Sequence, residues 1–163
     1  WESHKGYLLC QQYLPGNDWD TRVCVVGDVA WAYRRLNRAG DFRASGSGQF
    51  DADPDKIDHQ FIDLAFQLTD MLGMQSCAVD GIYRDGEPVI VEFSYAFGGV
   101  GVARCPGCWR RQDGQVVWHN ERRVPAIEIL DNLLERIERR GAAPGERSPA
   151  GAESNGSFGH GRP

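Results

Sequence analysis

The chain has 163 residues, 23 acidic against 18 basic side chains, and a formal net charge of −5. That balance excludes a general nucleic-acid binder, which is basic as a rule. No apolar run approaches the ~18 residues that a membrane span needs. Residues 141–163, GAAPGERSPAGAESNGSFGHGRP, are rich in Gly, Ser, Pro and Ala. Such a segment buries too little to offset its ordering entropy, which predicts a disordered tail after a single domain at residues 1–140. Five cysteines, at positions 10, 24, 77, 105 and 108, are an odd number without framework spacing. Reduced, buried thiols in a cytoplasmic protein are expected. The start, WESHKGYLLC, has no charged segment followed by a long apolar one, as a signal peptide would, and does not open on Met. A piece of a longer protein is expected.

In chain order, residues 7–14, YLLCQQYL, read as a strand, ended by the turn PGND at residues 15–18. Residues 21–26 and 29–33 are two β-rich runs separated by Gly27-Asp28, a hairpin signal. Residues 31–48, WAYRRLNRAGDFRASGSG, then gather Arg34, Arg35, Arg38 and Arg43 around turn-forming residues, which predicts a basic loop. A helix follows, with Asp53 as cap, Pro54 at its first position and Gly73 as its stop. Ile57, Phe61, Leu64, Ala65, Leu68 and Leu72 give it one apolar face. Residues 76–83 and 88–95 flank Asp85-Gly86 as a second hairpin. Residues 116–118 read as a short strand, and residues 125–139 as a helix with Ile127, Leu130, Leu133, Leu134 and Ile137 on one side. The order predicts an α+β fold, an antiparallel sheet with helices packed on one face.

The second hairpin carries the sharpest chemistry. Asp80 interrupts an apolar strand, AVDGIY, and Glu92 another, VIVEFSY. A carboxylate in a buried strand is costly unless it is paired or metal-bound. A two-residue loop at Asp85-Gly86 puts Asp80 and Glu92 on opposite faces. A three-residue loop at residues 84–86 makes them diagonal neighbours on one face, joined by Ser94. Two carboxylates and a hydroxyl suit a hard cation such as Mg2+, with Mn2+ as a substitute. The plainer reading makes Asp80 a strand-end polar residue and pairs Glu92 with an arginine.

The succession YLLCQQYLPGNDWDTRVCVVGDVAWAYRR, GDFRASGSG and AVDGIYRDGEPVIVEFSYAF resembles the carboxy-terminal half of ATP-grasp enzymes. It is closest to the branch of the ribosomal-protein-S6 glutamate ligases, over about residues 7–97. The resemblance implies a hinge beside adenine at Gln11, Gln12, Tyr13 and Leu14. It implies an acidic–x–Arg step at Asp20 and Arg22, and a GDFR loop that ends at Arg43. It also implies metal ligands at Asp80, Glu92 and Ser94, the serine standing where the family usually has Asn. Arg22 and Arg43 would neutralise charge on a transferred phosphoryl group or hold a substrate carboxylate. Arg35 and Arg38 are expected to face solvent.

The activity so implied is an ATP- and Mg2+-dependent ligase joining a carboxylate to an amine or thiol through an acyl phosphate. The family also carries phosphate-binding lysines on an upstream lobe, and this chain has only Lys5 and Lys56. It is therefore expected to be inactive by itself. The alternative is a non-catalytic nucleotide-binding or scaffold domain derived from the same fold. The Cys105-Pro-Gly-Cys108 motif has only His119 near it, short of the about four ligands of structural zinc, and reads as a turn that packs Trp109 onto the domain edge. His4, His59, His119 and His160 show no catalytic spacing.

Overall fold

The computed structural model describes Gly6 and residues 10–142, with the side chains of residues 140–142 left aside. β1 (Trp19–Val26) and β2 (Val29–Leu36) form the first hairpin, and the two-residue β3 (Phe50–Asp51) pairs with the far end of β2. A 3-10 turn at Pro54–Lys56 precedes α1 (His59–Met71). β4 (Ser76–Arg84) and β5 (Glu87–Ser94) form the second hairpin, followed by the one-turn α2 (Gly99–Val102). β6 (Cys108–Gln112) and β7 (Gln115–His119) form a third hairpin, and α3 (Pro125–Ala142) closes the described chain. The strands make one sheet in the order β5-β4-β1-β2-β6-β7, with β3 beside β2 and every pairing antiparallel. The α+β architecture is the expected one.

Several local expectations need correction. Residues 10–14 are irregular rather than a strand, and residues 7–9 lie outside the described residues. The single helix expected from Pro54 is two elements. Asp53 caps the 3-10 turn through the Asp55 amide, and Asp58 caps α1 by accepting from the Gln60 amide at 2.9 Å. Gly73, at φ +62°, follows Leu72 and ends α1 as expected. The CPGxW stretch is no edge turn: Trp109 is 1 % exposed and sits in β6, in the main core. Of the expected tail, residues 143–163 lie outside the described residues, and α3 runs on through residue 142.

Strand alternation sorts the side chains between two cores. On one face Val23, Val25, Ala30, Ala32, Cys77 and Val79 pack against Phe61, Ile62, Ala65 and Phe66 of α1. Each fully buried aliphatic side chain there contributes about 1.5–3 kcal/mol. On the opposite face Cys24, Val26, Val29, Trp31, Tyr33 and Ala78 pack against Val102, Cys105 and Cys108. Helical cover is thus divided, α1 over one face and α2 over the other. Gly101 of α2 lies so close that a Cβ there would stand 2.2 Å from the Tyr33 ring. α3 presents its polar side to the domain, where Asn132 meets Gly27 and the Ile129 carbonyl accepts from Gln75. Its expected apolar stripe, Ile127, Leu130, Leu133, Leu134 and Ile137, is exposed.

Candidate functional site

The α2 face of the sheet changes character along its length. Near the Gly27-Asp28 turn it is apolar and roofed. Two residues further along each strand it becomes charged, because Asp20 and Arg22 of β1, Arg35 of β2 and Asp80 of β4 all alternate onto it. Register places Arg22 directly opposite Asp80 and Arg35 directly opposite Asp20.

These four side chains form one network. Arg22 donates to both oxygens of Asp80, Nε to Oδ1 at 2.6 Å and Nη2 to Oδ2 at 2.6 Å. Arg35 donates to both oxygens of Asp20, at 2.8 and 2.5 Å, and its Nη2 reaches Asp80 Oδ2 at 2.7 Å. Asp80 is 3 % exposed, so its charge is tolerated only because two guanidiniums meet it. The Asp80 hydrogen bond holds Arg22 more firmly protonated than a free guanidinium. Burial pushes the Asp20 carboxyl up from its ordinary value, against the opposing pull of Arg35.

Above this network lies a cleft of about 620 Å³. Asp20, Arg35, Asp80 and Glu92 line it, as do Gln11, Gln12, Tyr13 and Leu14 from the irregular amino-terminal segment and Phe42 and Arg43 from the loop after β2. Specific bonds hold these pieces. Asn17 clasps the Tyr83 backbone, donating to its carbonyl at 3.0 Å and accepting from its amide at 2.9 Å. Gln11 donates to the Val91 carbonyl at 3.1 Å. The Tyr13 and Phe42 rings meet edge to face at 5.4 Å, so the two segments touch at the cleft.

Asp80 and Glu92 do share a face, for a different reason than the three-residue loop. The turn has two residues, Asp85 and Gly86, at φ +54° and +87°. That register holds through Gly81 opposite Ile90; then a bulge at Val91 shifts it and brings Glu92 directly opposite Asp80. Glu92 is exposed and has no hydrogen-bond or ion-pair partner among the described residues. The plainer reading had named the wrong carboxylate: it is Asp80, not Glu92, that pairs with arginine.

Other expectations divide. Arg22 is bound to Asp80 and does not line the cleft. Arg43 lines the cleft but pairs with Asp41 and is largely exposed. Ser94 continues the Asp80 face opposite Ala78, yet its Oγ accepts from the Ala96 amide at 3.3 Å and does not line the cleft. Arg35 was expected in solvent and is instead 8 % exposed at the centre of the network. Arg38 is exposed and braces the loop by donating to the Ser45 carbonyl at 2.9 Å. Cys105 and Cys108 are buried free thiols, and burial pushes Cys105 up to about 12. Cys10, expected to be buried, is exposed.

Among the described residues no group of three His, Cys, Asp or Glu stands ready to hold a metal. That suits no zinc site, but a Mg2+ site draws only one or two carboxylates from protein. Asp80 and Glu92, opposite each other on β4 and β5, are hard oxygen donors of the kind such an ion takes, with both Asp80 oxygens held by arginines as the site stands.

A family model described as the RimK-like ATP-grasp domain matches residues 2–105, a stretch that includes every residue of this cleft and network. The chain belongs to this family. Its members are ATP-dependent ligases, which agrees with a domain whose cleft joins three carboxylates to a set of arginines. No curated protein is similar enough to the chain to count as a match. The β6–β7 hairpin and α3 lie beyond the part that the RimK-like model covers.

Proposed function

We propose that the chain is the nucleotide- and metal-binding lobe of a RimK-like ligase that joins a carboxylate to an amine. The carrying observation is the bulge at Val91, which sets Glu92 opposite Asp80 at the floor of a cleft large enough for a small ligand. In this reading Gln11, Gln12, Tyr13 and Leu14 border the purine of ATP. Asp80 and Glu92 hold Mg2+, with Ser94 an outlying oxygen. A bound divalent ion would neutralise phosphate charge.

The chain's own residues then act by position and charge. Arg43, on an exposed loop, can turn from Asp41 to a phosphate or a substrate carboxylate. Asp20 keeps Arg35 in place and so keeps Asp80 in place. In the reaction a substrate carboxylate oxygen attacks the γ-phosphorus and ADP leaves. The amine then attacks the acyl carbon and phosphate leaves. No covalent enzyme nucleophile is required; orientation and charge stabilisation lower the barrier. The inward-facing thiols have no part in it.

Mg-ATP binding by the chain, and ADP release from Mg-ATP by a chain extended upstream to carry the lysine-bearing lobe, measured against a panel of amino acids and dicarboxylic acids, test the reading. Measurable turnover that is lost in Glu92→Gln supports it. Nucleotide binding without ADP release for any substrate points instead to a non-catalytic nucleotide-binding domain.

A further inference from the structure

We propose that Arg22 is an exchangeable counter-ion for Asp80, which occupies the carboxylate until a divalent cation displaces it. The inference rests on the reading of Asp80 and Glu92 as metal ligands and concerns how that site loads.

The two arginines on Asp80 are not equivalent. Arg35 is 9 % exposed at its side chain, and Asp20 grips it by both oxygens. Leaving would strand the partly buried Asp20 carboxylate, which has no other hydrogen-bond partner among the described residues. Arg22 is 22 % exposed, and Asp80 is its sole hydrogen-bond partner among the described residues. It can leave without stranding any other group, since Arg35 still compensates Asp80.

Occupancy of the carboxylate argues for the exchange. An ionised carboxylate offers about four lone-pair sites. Arg22 fills one on each Asp80 oxygen and Arg35 fills another. With Arg22 in place, little of Asp80 is open to a metal that demands near-octahedral geometry. Charge argues the same way. Asp20, Asp80 and Glu92 against Arg22 and Arg35 leave one negative charge uncompensated. A divalent ion added to that set overshoots to net positive, whereas its exchange for Arg22 restores neutrality. The released guanidinium, on the same strand face, is then free to meet an anionic ligand brought with the metal. Metal entry and anion binding would therefore reinforce one another, and the empty site would discriminate against free metal.

Titration of the chain with Mn2+ alone, with free Mn2+ read by electron paramagnetic resonance, tests this without any turnover. Arg22→Met should bind Mn2+ about tenfold or more tightly than the wild type, because a charge-assisted competitor is gone. Adding Glu92→Gln should abolish the gain. Arg22→Lys, which keeps the charge but loses the two-pronged grip, should fall between the two and serves if Arg22→Met does not fold. Equal or weaker Mn2+ binding by these folded variants, with Glu92→Gln still weakening the wild type, overturns the exchange and leaves the metal site standing. Mn2+ binding indifferent to Glu92→Gln overturns both.

Discussion

Arg35 stands opposite Asp20 across the first hairpin and reaches past it to Asp80, its Nη2 lying 2.5 Å from one carboxylate and 2.7 Å from the other. It therefore ties β1, β2 and β4 together at the level of the cleft. Removing one partner of a buried ion pair leaves the other charge uncompensated. Arg35→Met should lower stability to urea by about 3–5 kcal/mol. Arg43→Met, which cuts an exposed pair with Asp41, should change it by about 0.5 kcal/mol or less.

Asp80 and Glu92 should separate under the same comparison. Both Asp80→Asn and Glu92→Gln should weaken binding of a divalent ion, but only Asp80→Asn should also destabilise the fold. Its carboxylate satisfies two arginines, and that of Glu92 satisfies none among the described residues. Urea unfolding of the two variants in metal-free buffer, set beside Mn2+ titrations, checks this.

Gly81 and Gly101 are among the glycines that close approach requires. A Cβ at Gly81 would lie 2.3 Å from the Phe61 ring, and one at Gly101 2.2 Å from the Tyr33 ring. Gly81→Ala and Gly101→Ala should each cost about 1–3 kcal/mol by overpacking. Gly114→Ala meets no atom within 4 Å, so any loss there comes from its φ of +77°. Thermal unfolding of the three variants separates clash from backbone strain.

The thiols give a pH signature. Burial pushes Cys24 and Cys105 up to about 12 from an ordinary value of 9.0. Unfolded thiols ionise first, so the unfolded chain binds fewer protons through that window and stability falls as pH rises from 9 toward 12. The stability gap between wild type and Cys24→Ala should narrow over that range. In the native chain at neutral pH only the exposed Cys10 should react quickly with a thiol reagent, against five cysteines in denaturant.

Much of this was legible in local pattern. Gly27-Asp28 and Asp85-Gly86 between β-rich runs mark two hairpins, and the three- and four-residue spacing from Phe61 to Leu68 marks α1. The third hairpin carried the same signal at Asp113-Gly114, both at positive φ, but its polar flanks RRQ and Q hid it. Arg35 could have been found, since a two-residue turn at Gly27-Asp28 sets it opposite Asp20. The arginine-rich stretch around it read as a solvated loop because nothing local marks it as buried. The bulge at Val91 was beyond pattern reading: an extra apolar residue in an apolar strand leaves no mark until the strands pair. The reversed amphipathicity of α3 is likewise tertiary, because spacing says which side is apolar and not which side meets the sheet.

The proposed ligase lobe requires Asp80 and Glu92 together to hold the metal of a bound nucleotide. Addition of substoichiometric Mn2+ with ATP to the isotopically labelled chain tests it most directly, through paramagnetic broadening of backbone amide signals. Selective loss of signals around Asp80 and from Ile90 to Phe93 is expected, abolished by Glu92→Gln. Broadening centred elsewhere, or unchanged in Glu92→Gln, would contradict it.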